Sequence, residues 1–107
     1  MSAEDVLLLC EYILETHFGE DVLNPVGRAF VRGGPLSVAS AASRTGCTKG
    51  HAQNVITALL KHNLLAMELN HYQNVHYYSF RRDACLMRLS FPRYLASAMA
   101  EEASAVG

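Results

Sequence analysis

A mainly α-helical fold closed by one small β-hairpin is what the sequence predicts, and residues 37–80 carry that prediction. Three observations decide it. A short Ala-rich helix signal stops at the turn pair Thr45-Gly46, a clean amphipathic stripe follows at once, and two alternating strand signals come next with no spare residues between. Helix, sharp turn, helix and hairpin in that order make a winged helix-turn-helix, an architecture better suited to binding nucleic acid or a transcription complex than to catalysis.

Size and composition set the frame. A chain of 107 residues, 50% of them apolar, suits one small domain with a modest core and leaves no room for a second. Cys10, Cys47 and Cys85 are odd in number and far apart, which fits reduced thiols in the nucleus or cytosol better than a disulfide framework. Met1–Asp5 is acidic where a signal peptide needs a basic region, and apolar runs such as Val6–Cys10 are too short to cross a bilayer, so no membrane partner is expected.

The net charge of −1 hides a segregation. Residues 1–21 hold six acids and no Lys or Arg, a charge of −6; residues 22–100 hold nine cations against Glu68 and Asp83, or +7; Glu101 and Glu102 return the sum to −1. A basic body with an acidic first helix suits a polyanion on one side and a protein on the other, although solvated charged faces produce the same pattern.

Val6, Cys10, Ile13, Leu14 and Phe18 recur at helical spacing behind the possible N-cap Ser2, so a first helix is predicted from about Ala3 to Phe18, with Gly19 at its αL cap. Val22, Val26, Ala29 and Phe30 give a weaker stripe interrupted by Asn24-Pro25. Pro25 either opens a helix capped by Asn24 or kinks a longer one; a helix over about 25–32 is the favoured solution. The third helix starts near Pro35–Ser37 and carries small residues (Val38, Ala41, Ala42), which let a neighbour approach closely before Gly46 turns the chain. From about Thr48 to His62, Ala52, Val55, Ile56, Leu59 and Leu60 form the stripe of the would-be recognition helix. Strands follow at about 64–69 and 75–80. Asp83 is positioned to cap a further helix with Leu86, Met87 and Leu89 on its inner side, and Pro92 opens a last one, so residues 1–91 form the winged-helix domain and 92–107 a C-terminal helix leading to a following domain. The expected core holds Val6, Ile13, Leu14, Phe30, Val38, Val55, Ile56, Leu59, Leu60 and Leu65.

The candidate DNA-contacting residues are Lys49, His51, Gln53 and Asn54 on the outer face of the recognition helix, His71 and Tyr72 at the wing tip, and Arg81 and Arg82 behind the wing. Only Lys49 at the leading end of that helix is reliably cationic. Phosphate neutralisation supplies much of a DNA reader's affinity, so weak, non-specific binding is expected rather than base readout. Tyr94, Leu95 and Met99 can share one helix face, and a domain this small has little core to hide them in, which marks them as a protein interface.

Other chemistry finds little support. Cys47 and His51, with His62 or His71, lack the paired spacing of a zinc site; Glu68 and Asp83 are the only acids of the body; and Gly33-Gly34 precedes Pro35 without the Lys-Ser/Thr of a phosphate loop. No enzymatic activity, metal, cofactor or small-molecule substrate is therefore expected.

The runs LCEYILETHFGE (Leu9–Glu20), TG at 45–46, LLKHNLL at 59–65, VHYY at 75–78 and RLSFPRYL at 88–95 resemble the N-terminal winged-helix domain of the TFIIE-alpha-like subunit of RNA polymerase III, the largest member of that enzyme's specific heterotrimer. The resemblance covers about residues 6–95 and departs at Asn24-Pro25 and Ala41-Ala42. It implies a non-catalytic nuclear subunit that docks on the polymerase clamp and helps promoter recognition and DNA opening. By the same resemblance, His17–Glu20 would end the first helix, Lys61–Leu64 would join recognition helix to wing, and Phe91–Tyr94 would begin the link to a following domain. Two alternatives stand beside it: a free-standing, dimeric winged-helix regulator, and a winged-helix assembly module with no nucleic-acid role.

Overall fold

Side chains that satisfy the free N–H groups of a first turn decide where four of the helices begin. The computed structural model describes residues 2–89. In α1 (Ala3–His17), Ser2 Oγ accepts from the Asp5 N–H while Asp5 accepts from the Ser2 N–H, a reciprocal capping box. Asn24 caps α2 (Pro25–Arg32) by accepting from the Gly27 N–H at 3.0 Å, so Pro25 opens a helix and kinks nothing. Ser37 caps α3 (Val38–Thr45) and Thr48 caps α4 (Lys49–Lys61) in the same way. Between α1 and α2 the chain reverses through Gly19, at φ +76°, and a short 3₁₀ helix over Gly19–Asp21.

The hairpin pairs β1 (Leu65–Asn70) with β2 (Val75–Phe80) antiparallel, from Leu65 opposite Phe80 to Asn70 opposite Val75. Asn70 Oδ1 accepts from the N–H groups of Tyr72 and Gln73, and Asn74 takes the αL conformation that closes the loop. A feature absent from the sequence expectations is Leu36, whose N–H and carbonyl both bond to Tyr78 at 3.0 and 2.9 Å and tie the hairpin to the segment leading into α3. One residue forms the whole contact, so no periodicity announces it. The chain then enters α5 (Arg82–Leu89), which packs on α1.

Ile13 and Leu14 of α1, Phe30 of α2, and Ile56 and Leu59 of α4 meet in the core, each all but fully buried. Val22, Leu36, Leu64, Cys10 and Cys85 join them. Three expectations need correction. Leu60 is 37% exposed, because Ala52, Val55, Ile56 and Leu59 fill the inward arc of α4 and Leu60 lies a quarter turn from its middle. Val6 and Val38 are half-buried at the edge of the core. Asp83 does not cap α5: that helix starts one residue earlier, with the Cys85 N–H bonded to the Arg81 carbonyl, so Cys85 points inward, Leu86 is half-buried and Met87 is exposed. The expected helix over 92–107 and the interface residues Tyr94, Leu95 and Met99 lie outside the described residues.

Among the described residues no disulfide forms: Cys10 and Cys85 are buried between α1 and α5, the Cys85 thiol donating to the Cys10 carbonyl at 3.8 Å, and burial pushes the Cys10 thiol up. Arg32 joins Glu4 at 3.1 Å and Glu11 at 2.6 Å, linking α2 to α1 across the surface, where solvent screening keeps the contribution to stability small.

Replacing Leu59 with Ala should destabilise the domain by about 2–5 kcal/mol, and the same change at Leu60 by less than about 1 kcal/mol, in urea unfolding. Equal losses would mean that α4 is rotated about its axis from the orientation described. Gly27 supplies a second test. Buried in α2, it faces the Val22 carbonyl oxygen so closely that a Cβ would overlap it. Gly27→Ala should cost about 1–3 kcal/mol through forced backbone movement, also read by urea unfolding, whereas an unchanged midpoint would show that α2 has room to shift.

Candidate nucleic-acid interface

Close approach of α3 and α4 presents the candidate recognition helix. Ala41, Ala42 and Ala52 are buried where the two helices meet, and small side chains there let the backbones come together. Gly46, at φ +70°, provides the left-handed turn between them, and the Cys47 N–H bonds to the Ala42 carbonyl at 3.1 Å. Cys47 itself is half-buried with its sulfur 3.1 Å from Thr45 Oγ1. No three His, Cys, Asp or Glu side chains among the described residues sit close enough together to hold a metal ion.

Lys49, His51, Gln53 and Asn54 are all exposed, yet α4 sends them to different flanks. Lys49 and Gln53 line a shallow groove of about 360 Å³ shared with Val75, His76 and Tyr78 of β2, so they face the wing. Gln53 also donates to Thr57 Oγ1 at 3.3 Å along the same helix. His51 and Asn54 look the other way, towards Glu20, Asp21 and Asn24 at the corner between α1 and α2. The second flank is acidic. Lys61, exposed at the far end, and Lys49 leave the middle of α4's outer face without a full positive charge.

At the wing tip His71 and Tyr72 are exposed, Tyr72 fully so, and both border a hollow of about 440 Å³ with Pro35, Glu68 and Tyr77. The Tyr77 hydroxyl donates to Gln73 Oε1 at 3.1 Å, steadying the loop. Arg81 lies at the opposite end of the hairpin. Its guanidinium donates to Asn63 Oδ1 at 2.8 Å and pairs with Asp83 at 3.3 Å, while Arg82 is exposed. The Ala84 backbone N–H, with Arg81 beside it, holds the Asp83 carboxyl below its usual range. Of the predicted residues, the structure thus brings Lys49 and Gln53 together with the wing, sets His51 and Asn54 against carboxylates, and engages Arg81 within the fold.

Sequence reasoning missed the partners of both flanks: His76 and Tyr78 on the wing, and Glu20 and Asp21 beside His51. The acids carry no local signal for this position. Only the return of α2 across α4 puts them there.

No protein-family model matches the sequence, and no curated protein matches it. Solved structures do resemble the fold. MepR, a transcription regulator of the Staphylococcus aureus multidrug efflux pump MepA, superposes with a TM-score of 0.54 at 11% identity, over 98% of this chain and 78% of that one. PefR, a heme sensor protein from Streptococcus agalactiae solved in complex with heme, gives 0.52 at 15% identity, over 90% and 69%. At these identities the likeness establishes the winged-helix fold of this chain, and the fold alone.

Proposed function

We propose that this winged-helix domain is a non-catalytic part of the transcription machinery: the N-terminal domain of the TFIIE-alpha-like subunit of RNA polymerase III, acting in the nucleus mainly through contacts with other polymerase subunits. One observation carries the emphasis on protein contacts. The face that a DNA-reading winged helix inserts between phosphates is uncharged in its middle and acidic along one flank, where Glu20 and Asp21 stand beside His51 and Asn54. Carboxylates there oppose the approach of a second phosphate strand. The motif runs from HFGE to FPRYL support the polymerase assignment.

DNA is a secondary partner in this proposal, held without sequence preference by Lys49, Gln53, the wing tip (His71, Tyr72) and Arg82. His51, Asn54 and Arg81 contribute less, given the carboxylates and the Asn63 and Asp83 bonds that occupy their surroundings. So few cations support about two or three phosphate contacts, and the plot of log affinity against log salt should be no steeper than about −3. Tight binding to one defined duplex at physiological salt would overturn it.

A second reading, a free-standing dimeric regulator, is favoured by the likeness to MepR and PefR. Leu8 and Tyr12, each 51% exposed and one helical turn apart on α1, offer such a dimer an apolar strip. Light scattering on the purified chain separates the two: a monomer is expected here, a stable dimer there. The polymerase proposal further expects the tagged chain to co-purify with RNA polymerase III subunits, and Tyr94→Ser with Leu95→Ser to abolish this with the melting curve unchanged. Unfolding of that double variant would instead place the two residues in the domain's own core.

A further inference from the structure

The flank of α4 away from the wing is a continuous groove. Two hollows, of about 660 and 290 Å³, adjoin there and share Glu20, Asn24 and His51. Leu23 and Pro25 give the first an apolar lining, and Val55 and Ala58 the second. Along the lip stand three exposed carboxylates, Glu15, Glu20 and Asp21. Among the described residues every ion pair uses Arg32 or Arg81, with Glu4, Glu11 and Asp83 as partners, so none of the three lip carboxylates is ion-paired. Arg28 is the one Lys or Arg lining the groove, and three carboxylates against one guanidinium leave −2.

The corner is held in shape from within. Asn24 donates through Nδ2 to the carbonyls of Glu20 at 2.8 Å and Asp21 at 3.3 Å, while its Oδ1 takes the Gly27 N–H. That network uses backbone atoms of the acids and leaves their carboxylates facing solvent. An apolar floor with an unneutralised anionic lip, on a fixed frame, is complementary to a helix or strand that presents apolar anchors on one side and cations beside them.

We propose that this groove docks a Lys- or Arg-bearing amphipathic segment of a partner protein. The proposal rests on the reading that the domain works through protein contacts, and it names the chemistry of the contact. Apolar side chains of the segment lie on Leu23, Val55 and Ala58, and its cations reach Glu15, Glu20 and Asp21. The same carboxylates repel a nucleic-acid backbone, so the two flanks of α4 serve different partners: Lys49 and the wing face DNA, and the acidic flank faces protein.

Fluorescence anisotropy on the full chain provides the test, with three labelled probes: an amphipathic Leu/Lys peptide, the same peptide with Glu for Lys, and a DNA duplex. The Lys peptide should bind and weaken with salt, the Glu peptide should not bind, and the duplex should not displace the Lys peptide. Combining Glu20→Gln with Asp21→Asn should weaken the Lys peptide about tenfold, close to 1.4 kcal/mol, with an unchanged melting curve, whereas Glu68→Gln on the wing should leave it unaltered. Ala58→Lys, which fills the floor and supplies the charge in cis, should weaken it at least as much. Equal affinity for both peptides, indifference to the paired substitution, or displacement by the duplex overturns the proposal. If polymerase subunits still co-purify while the Lys peptide fails to bind, the groove assignment alone falls. If peptide binding depends on Glu20 and Asp21 but no polymerase subunit is recovered, the groove stands and the polymerase reading falls.

Discussion

The rest of the structure depends on how closely α3 can lie against α4. Ala41 and Ala42 on one side and Ala52 on the other are buried where the helices meet, and a longer side chain at any of them would push the pair apart. The turn between them is equally constrained, because Gly46 adopts a left-handed conformation that a side chain disfavours. With the pair locked, α4 buries Val55, Ile56 and Leu59 in the common core and packs on α2, and its remaining faces are assigned by exclusion. One flank meets the wing, the other meets the corner at Glu20 and Asp21, and the ridge between them faces solvent.

The hairpin shows how quickly the core runs out in a domain this small. Its base is anchored by buried Leu65 and Tyr78, and by the two bonds between Tyr78 and Leu36. Met67, opposite Tyr78 in the register, and Tyr72 at the tip are exposed, and the Met67 sulfur sits 3.0 Å from His76 Nδ1. An exposed aromatic tip on a tethered base is a lever that surface contacts can use but that adds little to stability. On this side of the molecule the wing and α4 share a wall in the groove beside Lys49.

Local chemistry made most of the fold legible. Ser2, Asn24 and Thr48 each sit ahead of a helical stripe and cap the helix expected of them, and Ser37 caps the helix whose start the sequence bounds only to Pro35–Ser37; Gly19 and Gly46 turn the chain where a residue without a Cβ is needed. Asn24-Pro25 left two solutions open in sequence and resolves to a capped start. The errors arose where an assignment needed the other side of the contact. Leu60 satisfies the helical period, but the inward arc was already full; Cys85 is core because α5 begins one residue before Asp83 and meets α1. The candidate site shows the same divide. Lys49, His51, Gln53 and Asn54 were placed on the outer face of α4 and are exposed there, while the sorting of that face into a wing flank and an acidic flank comes from the tertiary return of α2.

The motifs that carry the family resemblance occupy joints, and this limits what they say about function. Phe18 of the HFGE run and His62 of the KHNL run are in ring contact, with centroids 4.5 Å apart, so the end of α1 is packed on the end of α4. Asn63 takes a left-handed φ of 59°, which asparagine tolerates better than most residues, and accepts from Arg81; Leu64 is fully buried, and its N–H closes onto the Leu59 carbonyl. Each of these residue types is explained by the turn from helix to strand. Any winged helix built with this joint needs similar residues there, whether it reads an operator or sits within a polymerase. The difference between those occupations has to lie on the exposed faces, where charge is free to vary without cost to the core. On this chain those faces are a nearly neutral helix ridge, one lysine beside the wing and an unneutralised acidic groove, a distribution that suits a partner carrying its own positive charge better than a duplex carrying phosphate.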